Sequence, residues 1–239
     1  VPRRTLLTGG PATGFLLAFH LPLRAAVNEP VQPKDATDGK FAPNAFIRID
    51  PEGVTTLVMP QVEMGQGIYT AVSMILAEEL DADWSKVQLL HAPANEKLYG
   101  NPIFIIQATG GSTSVRAFWK PLREAGASAR AMLVQAAAQG WGVKPEECTV
   151  AKGIITHAAS KRSTTYGAVA AAANKIAPPA QVQLKDPKTW TIAGQPLKRL
   201  DTRDKLNGSL VYGMDIRLPR MVVAIPKACS EQGGTRESL

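Results

Sequence analysis

Two short glycine turns carry the most suggestive chemistry in this sequence: Glu63-Met64-Gly65-Gln66-Gly67 and Thr109-Gly110-Gly111-Ser112. Each lies just ahead of a segment with helical spacing. The start of a helix presents backbone N–H groups without intrahelical acceptors, together with a partial positive charge. Glycine lets a ligand approach the backbone closely and permits positive φ. Two such turns in one domain suit a ligand with several phosphates, or an extended ring rich in donors and acceptors. Gln66 adds an amide that both donates and accepts. Neither turn matches G-x-x-x-x-G-K-S/T or G-x-G-x-x-G, so a standard nucleotide fingerprint is absent. A plainer reading stays open, in which these are tight turns with Thr109 and Ser112 as helix caps.

Other reactive side chains are sparse. Glu63, Glu78 and Glu79 are acid–base candidates by type, yet Glu78 and Glu79 read as the solvated face of a helix. His91 and His157 fall at strand ends and read as surface or capping residues, and with His20 they are too dispersed for structural zinc. The sequence has two cysteines, Cys148 and Cys229. An iron–sulfur cluster takes about four, so this chain is expected to carry none, and the two read as simple thiols. The formal net charge is +7. Its basic residues are scattered and alternate with no stacking aromatics, which argues against nucleic acid as a partner.

The elements that must position the turns can be read from periodicity. Alternation over Ala45–Ile49 and Thr55–Met59, joined by Asp50-Pro51-Glu52-Gly53, predicts a β-hairpin. Helical spacing from Ile68 to Leu80 puts Val72, Ile75, Leu76 and Leu80 on one apolar face. Val87 to Leu90 reads as a strand, and a long loop follows from Ala92 to Gln107. A second helix opens after the Thr109–Ser112 turn and reaches about Ala138, with Pro121 expected to kink or delay it. Thr149 to His157 reads as a strand, Tyr166 to Lys175 as a helix, and Gly208 to Leu218 as a strand of a further unit. Together these predict a layered α/β fold with linkers at 27–40 and 181–198.

The chain opens Val1-Pro2-Arg3-Arg4-Thr5-Leu6-Leu7, then runs apolar from Pro11 to Leu23 before Ala25-Ala26. A basic head, a short apolar run and small residues form the plan of a secretory signal over 1–26. The adjacent arginines resemble a twin-arginine signal, the address of proteins exported already folded. The expected location is therefore the periplasm or the periplasmic face of the inner membrane.

Val62-Glu63-Met64-Gly65-Gln66-Gly67, with Ala77-Glu78-Glu79-Leu80-Asp81 after it, resembles the molybdenum hydroxylases, the xanthine dehydrogenase and aldehyde oxidase family. The likeness is closer to the isoquinoline 1-oxidoreductase beta-subunit type. It extends through Phe41–Ile47, Gln107–Arg116 and Leu122-Arg123-Glu124-Ala125-Gly126-Ala127. A later stretch, Arg199-Leu200-Asp201 through Lys205, Gly208, Tyr212-Gly213 and Asp215, is similar to the start of the family's α/β hammerhead domain. The resemblance implies a molybdopterin-binding domain portion over 41–180 and the start of a hammerhead, cut short, over 199–239. The hammerhead follows the Met-Gly-Gln-Gly segment here, as in the isoquinoline-type subunits.

By this resemblance Gln66 would bond the pterin of the cofactor, with Gly65 and Gly67 shaping its turn. Thr109, Gly110, Gly111 and Ser112 would offer amides and hydroxyls to the pterin or its phosphates. The implied cofactor is molybdopterin cytosine dinucleotide with molybdenum, and the implied substrates are aldehydes or N-heteroaromatics that gain an oxygen from water. Electrons would leave through a small 2Fe–2S iron–sulfur subunit, with a cytochrome c as a further acceptor. The family's catalytic glutamate has no match in this chain, so no catalytic residue and no metal ligand is assigned. Three readings follow: a cofactor-binding portion of an oxidoreductase, inactive by itself; a truncated, non-catalytic fragment or interaction module; or an unrelated exported phosphate-ester binder.

Overall fold

The computed structural model describes residues 41–226. The signal-like segment 1–26, the 27–40 stretch, His20, Cys229 and the chain beyond Pro226 lie outside the described residues. These fall into two units, one ending at Asp201 and one starting at Thr202.

In the first unit, strands β1 (Phe41–Asn44), β2 (Ile47–Ile49), β3 (Thr55–Met59) and β4 (Val87–His91) form one sheet in that order. The predicted hairpin is β2–β3, antiparallel with Ile47 opposite Leu57. Asp50 makes its turn: the carboxylate accepts Val54 N–H at 2.8 Å, and the carbonyl accepts Gly53 N–H at 3.0 Å. β4 joins β3 in parallel, which requires a crossover, supplied by helix α1 (Ile68–Leu80). Along β2, Ile47 and Ile49 are fully buried with Arg48 pointing away between them. Along β3 both faces are covered. Leu57 and Met59 enter the main core, whereas Val58 joins a smaller cluster with Ala92 and Tyr99.

The apolar stripe of α1 lies as its spacing predicts, with Val72, Leu76 and Leu80 at 0% exposure. Burying each such side chain contributes roughly 1.5–3 kcal/mol. The stripe packs with Phe118, Leu122, Met132 and Leu133 of the 28-residue helix α3 (Ser114–Trp141). The contact is unusually close at Gly126, where a Cβ would sit 2.6 Å from the Leu76 carbonyl oxygen and 2.9 Å from Glu79 Cβ. Helix α3 runs through Pro121 instead of starting after it. The long 92–107 loop holds one short helix, α2 (Glu96–Tyr99).

The expected strand over 149–157 is two strands, β5 (Cys148–Ala151) and β6 (Ile154–His157), with β7 (Arg162–Thr165) completing a meander. Lys152 and Gly153 both take positive φ, 50° and 70°, the signature of a two-residue hairpin turn. Helix α4 (Tyr166–Ala173) follows, capped by the Thr165 hydroxyl on Ala168 N–H. The Tyr166 hydroxyl donates to the Leu80 carbonyl at 2.6 Å, tying α4 to the end of α1. His157 is not a surface residue: it is 6% exposed, 2.7 Å from Ser160 Oγ and 3.3 Å from Glu147.

The larger correction concerns Glu78 and Glu79, which form no solvated face. Both are fully buried. Glu78 accepts the N–H groups of Thr191, Ile192 and Ala193 at 2.9, 2.6 and 3.1 Å, and Lys185 Nζ at 3.0 Å. Glu79 accepts Arg123 Nε at 2.7 Å and Lys185 N–H at 3.0 Å. Asp81, which ends α1 in a left-handed conformation, binds Arg130 at 3.0 Å and also the Lys185 ammonium. The stretch 181–198 contains only a 3₁₀ turn, Pro187–Thr189, yet it is strapped to α1 by these carboxylates. Helical periodicity marked them polar, but their partners come from α3, 44 residues on, and from the 185–193 segment, more than 100 residues away.

In the second unit, α5 (Thr202–Leu206) precedes a 3₁₀ turn at Gly213–Asp215. The strand expected over 208–218 does not form; Val211 and Met214 are 70% and 89% exposed. A strand needs a neighbour to satisfy its ladder of N–H and C=O groups, and among the described residues none pairs with this stretch.

Two predictions follow from this packing. Gly126→Val drives a branched side chain into the backbone of α1 and should lower unfolding stability by about 1–3 kcal/mol, read by chemical denaturation. Burial raises the Glu78 carboxyl, but the amides of Ile192 and Ala193 and the Lys185 ammonium outweigh it, so the net lies below the usual value. A carboxyl depressed in the folded state stabilises above its unfolded pKa of about 4.3 and loses that contribution as pH falls through the folded value. Glu78→Gln should therefore be less stable than wild type at pH 7, with the gap narrowing steadily below about pH 4. An equal gap at pH 7 and pH 3 would contradict it.

Candidate functional site

The first glycine turn links β3 to α1. Its amides do aim at an anion, as expected, but the anion is the protein's own Glu63. One carboxylate oxygen accepts Gly65 N–H at 2.8 Å and Gly67 N–H at 3.0 Å; the other accepts Tyr69 N–H at 3.1 Å. Gly65 and Gly67 take φ of +101° and +83°, which lets the turn curl round the carboxylate. Glu63 is thus a structural anion for this helix start, not a free acid–base group. Burial raises its carboxyl; the amides of Gly67, Tyr69 and Gly65, and then the Arg199 charge, more than reverse this and hold it below the usual range.

Gln66 stands exposed between the two glycines. Its Nε2 donates to the Val62 carbonyl at 2.8 Å, and its Oε1 accepts Met64 N–H. Each amide atom has one further hydrogen-bonding position, so Gln66 is held in place while keeping a donor and an acceptor for a ligand.

The second turn precedes α3. Gly111 and Ser112 have φ of 57° and 52°. The Gly110 carbonyl is taken by Thr113, through its N–H at 3.1 Å and its hydroxyl at 2.8 Å. The amides of Gly110, Gly111 and Ser112 have no acceptor among the described residues, and these residues are exposed. Ser112 is not the cap of α3: that position is Thr113, whose side chain makes no capping bond.

The two turns meet. Val62 N–H donates to Thr109 Oγ1 at 2.8 Å. Gln61, fully buried, donates to the Ala108 carbonyl at 3.2 Å and accepts the Ser114 hydroxyl at 2.8 Å. Asn101, also fully buried, braces the second turn from below through Thr113 Oγ1 at 2.8 Å. Gln61, Asn101 and Arg199 were not singled out as site residues from sequence. The one local signal for Gln61 is a polar residue straight after the strand-ending Pro60. Arg199 donates to Glu63 at 2.9 Å and to the Gly65 carbonyl at 3.0 Å.

Beside the junction lies a cavity of about 720 Å³ walled by Val62, Thr109, His91, Asn95 and Gln107 among others. Gln66 and Gly110–Ser112 do not line it. His91 faces this space and pairs through Nδ1 with the Tyr69 hydroxyl at 2.8 Å. The Tyr69 phenol is pushed up by burial and by the charges of Glu63 and Asp201.

A family model described as molybdopterin cofactor-binding domain matches residues 24–217. The isoquinoline 1-oxidoreductase subunit beta of Brevundimonas diminuta is 35% identical over 218 residues, covering 77% of this chain and 28% of that protein. The membrane-bound aldehyde dehydrogenase (pyrroloquinoline-quinone) of Gluconacetobacter polyoxogenes is 32% identical over 240 residues, covering 98% of this chain and 30% of that protein. The chain thus spans less than a third of the length of either relative. Among solved structures, CO dehydrogenase from Oligotropha carboxidovorans matches 61% of this chain and 18% of its own, at 23% identity and a TM-score of 0.42. Quinoline 2-oxidoreductase from Pseudomonas putida 86 matches 56% and 17%, at 23% identity and the same TM-score of 0.42.

The role of Glu63 can be read by pH. Its depressed carboxyl holds the first turn at neutral pH, and that hold is lost as pH falls through the folded value, below about 4.3. In NMR spectra the amides of Gly65, Gly67 and Tyr69 should shift together in that range. In Glu63→Gln the shared titration should vanish. Three independent midpoints in the wild type would show that no common carboxylate links them.

Proposed function

Because this chain belongs to the molybdopterin cofactor-binding domain family, we propose that the junction of its two glycine turns holds the pterin cofactor of an exported molybdenum hydroxylase. The observation that carries the reading is the Val62–Thr109 bond. It joins two turns that are remote in sequence, so Gln66 and the three unpartnered amides of the second turn serve one ligand.

The residues fit such a group unequally. The amides of Gly110, Gly111 and Ser112, ahead of a 28-residue helix, suit an anionic oxygen. The first turn offers no such place, since Glu63 already fills it; there the spare donor and acceptor of Gln66 suit a neutral, amide-like ring edge. The Glu63 carboxylate also disfavours a second anion close to Gln66, which orients a ligand that is neutral at one end and phosphorylated at the other. Gly111 lets the backbone come close where a side chain would stand 3.3 Å from the Phe104 ring. When bound, the molybdenum cofactor supplies the redox chemistry by which a substrate gains an oxygen from water. The residues of this chain bind and orient it.

The finer points of the reading have separate supports. The cytosine dinucleotide form would bring two phosphates to the second turn. Substrates of aldehyde or N-heteroaromatic type are in keeping with the names of the two relatives. An iron–sulfur partner subunit, with a cytochrome c beyond it, accords with a chain that has two cysteines. Export rests on Arg3-Arg4 and the apolar run behind them.

The test is made in the complete subunit, expressed with its cofactor supply. Gln66→Ala and Gly111→Val should each lower bound molybdenum and pterin by roughly tenfold: the first leaves part of the ligand unpaired at about 1–3 kcal/mol, and the second forces a branched side chain onto a positive-φ turn against Phe104 where the ligand approaches. The far-ultraviolet spectrum should stay unchanged. Full cofactor content in both variants would refute the site.

A further inference from the structure

We propose that Arg199 is a positioning residue for the cofactor turn: together with Asp201 it clasps the peptide ahead of Gln66 and sets the aim of that side chain. The inference rests on the reading of Gln66 as a cofactor contact.

The geometry is that of a fork held at its base. Asp201 accepts Arg199 Nε at 2.9 Å and Nη2 at 2.8 Å, which fixes the guanidinium plane. The outer edge of the fork then reaches two points of the turn at once. Nη2 donates to Glu63 at 2.9 Å and Nη1 to the Gly65 carbonyl at 3.0 Å. The backbone that carries the fork is itself pinned to α1, since Leu200 N–H donates to Thr70 Oγ1 at 3.1 Å.

The turn needs such a hold. Gln66 sits between two glycines at positive φ, and glycine rotates at low steric cost. Glu63 gathers amides of Gly65, Gly67 and Tyr69, but a carboxylate only accepts and so cannot hold a carbonyl. The Gly65 carbonyl belongs to the peptide that leads directly into Gln66. Fixing that oxygen fixes the peptide plane, and with it the direction in which the Gln66 amide departs. Arginine suits the task because its planar fork can bond two acceptors while being held by a third group. Lysine offers a point charge and cannot fix the plane. The Arg199 side chain is 36% exposed, so these bonds add little to global stability; their effect falls on the local population of turn conformations.

The experiment has two arms. Hydrogen exchange on the full chain compares wild type, Arg199→Gln and Arg199→Lys. Arg199→Gln should speed exchange at Gly65, Gly67 and Tyr69 by roughly tenfold while the β2–β3 ladder and α3 stay as in wild type. Arg199→Lys should recover only part of the protection, because it restores the charge beside Glu63 without the fork. A purely structural role would raise exchange in all these elements together. In the second arm, Arg199→Gln and Gln66→Ala are placed in the complete subunit and pterin content is measured. Loss of pterin in both supports the clasp. Unchanged exchange in the turn overturns it, and so does full pterin content in Arg199→Gln when Gln66→Ala has lost it. Full pterin in Gln66→Ala would instead remove the cofactor reading, and the clasp would then stand or fall on the exchange arm alone.

Discussion

Two adjacent glutamates with no access to water dictate much of this architecture. Glu78 and Glu79 lie in the last turn of α1, where the helix dipole is itself negative, so burying their charge there is costly unless it is paired and hydrogen-bonded. The chain meets the demand from three directions. Arg123 comes from α3, Lys185 comes from the strap, and three consecutive amides come from Thr191, Ile192 and Ala193. Asp81 extends the same network to Arg130. Gly126 belongs to this constraint, because only a residue without a side chain brings α3 close enough at Leu76 and Glu79. Helix crossing, strap and helix end are thus consequences of one set of buried charges.

The opposite end of α1 obeys a related rule with a different outcome. A helix start exposes N–H groups that need an acceptor. At α1 that need is met within the chain by Glu63, whereas in the turn ahead of α3 the amides of Gly110, Gly111 and Ser112 are left open. The buried Gln61 amide links the approach to the first turn with Ala108 and Ser114, and the buried Asn101 amide braces the second turn, both without adding charge. The asymmetry matters for recognition. One turn is filled by Glu63 and presents a neutral side chain, while the other leaves its amides open. A cofactor with a neutral ring and phosphates suits that pair better than it suits two equivalent anion sites.

Much of this was legible in the sequence where the cause is local. The β2–β3 hairpin follows from alternation and an Asp-Pro-Glu-Gly turn, and α1 from the spacing of Val72, Ile75, Leu76 and Leu80. The two glycine turns were legible as motifs, but the Val62–Thr109 bond that ties their starts together, 47 residues apart, was not. Short-range turn chemistry was read less well. The Lys152-Gly153 turn split one expected strand into two, although Lys-Gly is a weaker hairpin signal than Asn-Gly. Over 208–218, alternation pointed to a strand, but a strand exists only with a partner.

What tertiary structure alone decided is the fate of the polar groups. Periodicity marks a glutamate as polar and cannot say whether water or a distant lysine will satisfy it. Glu78 and Glu79 went inward because Lys185 and the 191–193 amides, more than 100 residues away in sequence, arrive to meet them. Glu63 became the anion of its own turn because the glycines at 65 and 67 fold back on it, and Arg199 closes the arrangement from 136 residues away. The sequence by itself determined the elements and the two turns, since those depend on neighbours within a few residues. Which charges are buried and which amides stay open to a ligand depends on contacts that only the folded chain creates.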